Sequence, residues 1–178
     1  MNKFLTKKSD IEAWLNEYQI TKYNLIPDDL YGFKVNVDAE VYLSSVELTF
    51  IPVKFNKIKG KLDCSFNKLT SLEFCPQIVK SDFKCNDNRL TSLEFCPEII
   101  GLNANCSNNN ISSLEFCPQQ VSGNFFGCWN NPQLGELSKI TDFSVLYQEH
   151  LRIKAIKDFN EKLEQSLNHA NPRTKVKI

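Results

Sequence analysis

The chain has 178 residues, 42% of them hydrophobic, and its 21 basic and 21 acidic side chains cancel to a formal net charge of +0. That length suffices for one domain with a sizeable core, and balanced charge gives no global attraction to nucleic acid or to a membrane surface. The opening "MNKFLTKKSD" lacks an apolar signal-peptide region and no apolar run approaches membrane-spanning length, so a cytoplasmic location is expected.

In chain order, "SDIEAWLNEY" at 9–18 predicts a helix: Ser9 and Glu12 have capping-box spacing, while Ile11, Trp14, Leu15 and Tyr18 share one face. "GFKVNVDAEVYL" at 32–43 alternates on both sides of Asp38-Ala39, a hairpin pattern that runs on into the first repeat strand. Residues 1–40 are thus expected to form a helix-and-hairpin cap.

Residues 41–134 repeat. "LTSLEFCP" occurs at 69–76 and again at 90–97, and "ISSLEFCP" comes next at 111–118, a step of 21. Ahead of each copy stands an apolar-x-apolar-x-x-Asn-x-apolar segment: "LDCSFNKL" (62–69), "FKCNDNRL" (83–90) and "ANCSNNNI" (104–111). "VYLSSVEL" (41–48) is a degenerate first copy, and "FGCWNNPQL" (126–134) a last one with an extra residue before its leucine. Fixed-period repetition predicts a solenoid of stacked coils in which matching residues become columns about 4.8 Å apart. Cys64, Cys85, Cys106 and Cys128 then point inward from short strands, and Asn67, Asn88, Asn109 and Asn131 turn inward to pair backbone groups that a bending chain would bury. Pro76, Pro97 and Pro118 end the next corner. Stacked Glu73, Glu94 and Glu115 must stay wet, because like charges at that spacing cannot share a dry core. Phe74, Phe95 and Phe116 are expected to pack at least partly along the stack; the alternative is an exposed aromatic stripe, which would mark a partner site.

Residues 135–178 form the other cap. The segment 141–170 reads as a long helix with Phe143, Leu146, Tyr147, His150 and Leu151 as its apolar stripe, continued more sparsely by Phe159, Leu163 and Leu167.

These motifs resemble the leucine-rich repeat, LxLxxNxL, with cysteine in place of the second leucine. The arrangement is similar to that of small leucine-rich-repeat proteins of tailed phages and some bacteria. The matching residues are Ile11–Leu15, Ile51–Gly60, the repeats, Asn131–Gly135, and Ile140–Phe143 with Tyr147. The resemblance implies an α/β repeat fold: a leucine-rich-repeat solenoid of about five short parallel strands between helical caps. It also implies a phage protein working in the host cytoplasm. The repeats look like those of secreted bacterial effectors too, but the ubiquitin ligases among those use a C-terminal catalytic cysteine, and none follows Cys128 here.

Little in the sequence points to chemistry. It contains no GxSxG, P-loop, HExxH or GxGxxG, so no enzyme is expected, and no cofactor. The seven cysteines, an odd number with no CxxC, sit half a repeat apart on opposite sides of each coil, and His150 and His169 lie far from them, so no metal site is expected. Column spacing would permit disulfides, which a reducing compartment argues against.

What remains is the open strand face. Tyr42, Asp63, Lys84, Asn105 and Gly127 should project from it in one column, and Ser44, Ser65, Asn86, Ser107 and Trp129 in the next, with Phe66, Asp87, Asn108 and Asn130 beyond. Core columns repeat while these vary, which is how a repeat scaffold carries specificity. A face of about 24 by 25 Å falls short of the roughly 800 Å² per partner of a standard interface, so a cap or loop would have to contribute. Trp129 either anchors a partner or packs on the helix at 141–151. A protein partner, from host or phage, is therefore expected, bound to block it or within a virion or assembly. The alternative is nucleic-acid binding through Arg152, Lys154, Lys157, Lys162 and the tail "RTKVKI", a basic stretch partly neutralised by Asp158, Glu161 and Glu164.

Overall fold

The step of 21 reappears as strand register. Leu62 pairs with Phe83, Phe83 with Ala104 and Ala104 with Phe125, each in parallel. The computed structural model describes residues 4–126, 131, 134, 135, 137, 140 and 142–170, the side chains of 168–170 excepted. The chain divides into two compact units, Met1–Phe143 and Ser144–Ile178.

The first unit is a parallel-strand repeat solenoid. It opens with α1 (Lys8–Glu17), then β1 (Tyr23–Asp28) and β2 (Gly32–Val37). Short strands come after these: β3 (Val41–Tyr42), β4 (Phe55–Ile58), β5 (Leu62–Asp63), β6 (Ile78–Val79), β7 (Phe83–Lys84), β8 (Ile99–Ile100), β9 (Ala104–Asn105), β10 (Gln120–Val121) and β11 (Phe125–Phe126). β3, β5, β7, β9 and β11 form a five-stranded parallel sheet. On the return leg β2, β4, β6, β8 and β10 form a second parallel ladder, with β1 antiparallel at its edge. The returning segments reach strand geometry because each offers an apolar residue at one period: Ile58, Val79 and Ile100 are fully buried.

Inward columns fill the space between the sheets. Val41, Leu62, Phe83, Ala104 and Phe125 are fully buried, as are Cys64, Cys85 and Cys106. The corner residues Leu69/Leu72 and Leu90/Leu93 are equally covered.

The asparagines join coil to coil. Asn88 Oδ1 accepts from Leu69 N at 2.9 Å, while its Nδ2 donates to the carbonyls of Cys64 and Cys85, both at 3.0 Å, and of Asn86 at 3.3 Å. Asn67 and Asn109 repeat this pattern, and Asn131 accepts from Ile111 N at 2.9 Å. Each amide reads its own bend and the coil before it, which is why the letter cannot drift within the period.

The recurring octapeptide has a matching mechanical explanation. Ser71, Ser92 and Ser113 each accept from the backbone N–H two residues on, at 3.0 Å, and Cys75, Cys96 and Cys117 donate back to Leu72, Leu93 and Leu114. The third residue of each such turn is a phenylalanine with φ of 72° (Phe74), 64° (Phe95) or 64° (Phe116). A bulky L-residue in that region costs about 1–2 kcal/mol. Phe66, Asp87 and Asn108 are left-handed as well, just before the ladder asparagines.

Two expectations for the N-terminal cap are corrected. No Ser9–Glu12 capping box forms: the helix begins at Lys8 with Lys7 at the cap position, so Ser9 lies inside the first turn and bonds Asp10 instead. The hairpin is not at Asp38-Ala39, because β2 and β3 belong to different sheets. It turns at Asp28–Gly32, where Asp28 Oδ1 accepts from Tyr31 N at 3.0 Å and Gly32 adopts φ +73°. Pro27 lies within β1, which is an edge strand, where proline is tolerated.

The described residues of the second unit are those of α2 (Phe143–Ala170) from Ser144 onward. From Leu151 to Leu167 every side chain on it is exposed.

Candidate functional site

The open side of the five-stranded sheet is built from the residues between inward positions. Strand alternation turns Tyr42, Asp63, Lys84 and Asn105 outward in one register-locked column. The column ends on Phe126, which pairs with Asn105; the 22-residue spacing of Cys106 and Cys128 had put Gly127 there. The β11 register keeps the 21-residue step, so the additional residue comes later in the chain. Cys128, Trp129 and Asn130 lie outside the described residues.

Exposure divides the expected binding residues. Tyr42 is 55% and Phe66 56% exposed; Lys84, Asp87, Asn105 and Asn108 are half-buried. Asp63, Ser65, Asn86 and Ser107, expected to stand open, are buried. The cause is local hydrogen bonding along and between coils. Ser65 Oγ donates to Asp63 Oδ1 at 2.5 Å, and Ser107 Oγ to Asn105 Oδ1 at 2.7 Å. Lys61 closes over Asp63 at 3.0 Å and lies 4.8 Å from the Tyr42 ring centroid. Next to it, Tyr42 Oη donates to Glu40.

The middle coil breaks this pattern. Lys84 stands where its neighbours carry Asp63 and Asn105, so Asn86 has no acceptor two residues back. Its Nδ2 turns instead to Asp87 Oδ2 at 2.7 Å, and Asp87 Oδ1 accepts from Asn108 Nδ2 at 2.9 Å. Asn86 Oδ1 is left buried with no hydrogen-bond partner among the described residues, an arrangement that costs about 1–3 kcal/mol. The face thus carries two exposed aromatics, a lysine, and one imperfectly satisfied amide at its centre.

Electrostatics on the face centre on Asp63. Burial alone pushes its carboxyl up, but the hydrogen bonds from the Ser65 hydroxyl, Lys61 and the Ser65 N–H outweigh that and hold it below the usual carboxylate range. The hydrogen bond to Glu40, with some burial, pushes the Tyr42 hydroxyl up.

A second surface lies at the octapeptide corner, where the phenylalanine column is only partly packed. Phe74 is buried under Phe4 and Tyr31, with ring centroids at 4.3 and 4.8 Å, whereas Phe95 is 52% and Phe116 56% exposed. The N-terminal segment covers the first ring alone, so the expected ladder gives way to exposure further along. Phe74 and Phe95 border a groove of about 380 Å³ with Tyr31, Lys34, Lys54 and Glu98. Lys54 is held by Asp28 at 3.1 Å, and that bond keeps the Asp28 carboxyl below its ordinary range. Glu94 and Glu115 are exposed and Glu73 half-buried, in keeping with a wet column. The groove leaves no signal in the repeat pattern, because one wall, with Tyr31 and Lys34, comes from the β1–β2 hairpin outside the repeats.

The cysteines do not stay on opposite sides of a coil. The Cys64 thiol donates to the Lys84 carbonyl at 3.2 Å, and it feels Cys75 as the Cys106 thiol feels Cys85 and Cys96, because both walls of a narrow coil project into one core. Cys75, then burial, pushes the Cys64 thiol well up; burial does so for Cys85 and Cys96, and raises Cys117 to about 11. All six are free thiols. The four whose pKa is raised stay protonated and are poor nucleophiles, whereas Cys85 and Cys96 pull the Cys106 thiol beside them down to about 5. Among the described residues no group of three or more His, Cys, Asp or Glu is arranged to hold a metal ion. Nor, among them, is any helix long and apolar enough to cross a membrane.

Comparison with protein-family models, with curated proteins and with solved structures finds no match to this chain.

Proposed function

We propose that this protein is a non-catalytic protein-binding module that reads its partner with the open face of the β3–β5–β7–β9–β11 sheet. We further read the repeat as a leucine-rich repeat of the small phage type, acting in the cytoplasm on a host or phage protein. The observation that carries the reading is a contrast within one register. The inner column is Val41, Leu62, Phe83, Ala104 and Phe125, always apolar, while the outer one runs Tyr42, Asp63, Lys84, Asn105 and Phe126. Folding holds the first column apolar but admits aromatic, acidic, basic and amide residues in the second, so the outer series is where a partner could be specified. Tyr42 and Phe66, more than half exposed on a polar field, supply the aromatic anchors that interfaces favour.

The nucleic-acid alternative draws less support. On α2, Arg152, Lys154, Lys157 and Lys162 are interleaved with Glu149, Asp158, Glu161 and Glu164, so the described helix carries no basic stripe. The experiment is capture from a host lysate by the full chain and by Phe66→Ala and Lys84→Glu, identified by mass spectrometry. Both substitutions alter side chains outside the core: Phe66→Ala should leave thermal unfolding unchanged and Lys84→Glu, which sets a second carboxylate opposite Asp63, should cost no more than about 1 kcal/mol, while each removes the same captured protein. Capture that survives both changes, or salt-labile capture of nucleic acid instead, refutes the assignment.

A further inference from the structure

The long helix α2 presents a surface of another kind. A helix without a covered face is marginal in water, since protein helices are held mainly by burying one apolar stripe. Yet every side chain from Leu151 to Leu167 is exposed. Within that span Ile153, Ile156, Asn160, Leu163 and Leu167 succeed one another at steps of 3, 4, 3 and 4. This is the rhythm of a seam facing another helix. All four apolar members are exposed large hydrophobics.

The seam's one polar member indicates what covers it. Asn160 sits at its centre, where lipid tails or a purely apolar groove would leave its amide unpaired, at considerable cost. A second Asn160 across a two-fold axis satisfies it, because an amide both donates and accepts. Charge argues the same way. The basic residues of the helix are matched by acidic ones, leaving little attraction for anionic lipid or a phosphate backbone.

We propose that α2 pairs, parallel and in register, with α2 of a second copy of this chain through Ile153, Ile156, Asn160, Leu163 and Leu167. This does not rest on the strand-face reading, though a dimer would offer two such faces and so gain avidity. The register places Arg152 of one copy beside Lys157 of the other, a like-charge contact at the wet rim that salt screens. The seam spans only about 21 Å at 1.5 Å per residue, so the dimer is expected to be weak and concentration-dependent, with a dissociation constant of about 1–100 µM.

Sedimentation equilibrium of the full chain from about 1 to 200 µM, at low and high salt, tests this directly. The expected result is a monomer–dimer equilibrium that tightens as salt rises. Ile156→Lys should weaken it by about 100-fold or more, and Lys157→Glu should tighten it by about 3-fold at low salt. Both positions are exposed, so unfolding of the solenoid should not change and serves as the control. A chain that stays monomeric throughout overturns the proposal, as does a dimer indifferent to Ile156→Lys. Weakening by Lys157→Glu overturns the parallel register. Flotation of the monomer with neutral or anionic vesicles, abolished by Ile156→Lys, would assign the seam to lipid and overturn pairing.

Discussion

Replacing Asn88 by alanine tests whether the amide ladder holds the coils together. The change removes one acceptor and three donations, but the losses are unequal. The carbonyls of Cys64, Cys85 and Asn86 keep other donors, from Asn67 Nδ2 at 3.0 Å, Asn109 Nδ2 at 3.1 Å and Phe66 N at 3.0 Å. Leu69 N, which gives its proton to Asn88 Oδ1 at 2.9 Å, is the group left without an acceptor. One orphaned buried N–H costs about 1–3 kcal/mol, and the weakened carbonyls with a small void bring the total to about 2–4 kcal/mol. For a chain of this size that lowers Tm by about 5–15 °C. Asn88→Asp separates the two halves of the interaction. It retains an acceptor for Leu69 N but turns a charged oxygen with no proton towards three carbonyls, so at neutral pH it should be worse than alanine. The introduced carboxyl would have a folded-state pKa above its unfolded value of about 3.9. Its penalty is therefore full above the raised folded pKa and vanishes as pH falls below about 3.9. Urea unfolding followed by circular dichroism across pH measures both variants. A cost below about 1 kcal/mol for Asn88→Ala, with an unchanged denaturant slope, would refute the reasoning.

The face and the corner yield three further tests. The double substitution Lys84→Asn with Asn86→Ser rebuilds in the middle coil the pairs seen at Asp63–Ser65 and Asn105–Ser107. Removing the orphaned Asn86 oxygen should add about 1–3 kcal/mol of stability in thermal unfolding while abolishing partner capture; an unchanged Tm would show that the oxygen is already satisfied. Asp63, held below its ordinary range, stabilises the fold above its unfolded pKa of about 3.9, and this is lost as pH falls through the lower folded value. Ser65→Ala should therefore raise the Asp63 pKa in an NMR titration and move acid unfolding to higher pH, and no movement would disprove the Ser65 contribution. Phe74→Asn should destabilise by about 2–4 kcal/mol because it empties a buried site, whereas Phe116→Asn, at a similar φ but exposed, should be neutral or stabilising by up to about 1 kcal/mol. Equal effects at the two positions would mean that burial does not separate them.

The sequence by itself determined the stacking. A 21-residue period with apolar, cysteine and asparagine positions in phase admits one register, because shifting a coil by a single residue would turn Leu62 or Phe83 into water and the ladder amides away from the carbonyls they bridge. The asparagine columns and the long C-terminal helix were legible for the same reason: both are periodic. What only tertiary structure decided is everything that breaks the period or depends on a neighbour from elsewhere. Ile78–Val79 and its equivalents became a second sheet because successive return legs lie side by side, which two-residue segments cannot announce. Ser65 and Ser107 are covered although they stand on the outward side, because a hydroxyl two residues after a side-chain oxygen lies on the same side of the strand and pairs with it; alternation sets the side, not the exposure. Phe74, Phe95 and Phe116 are the same letter in the same turn, yet Phe4 and Tyr31 reach only the first. Repetition fixes what each coil does for the next; exposure is set by what the rest of the chain lays over it.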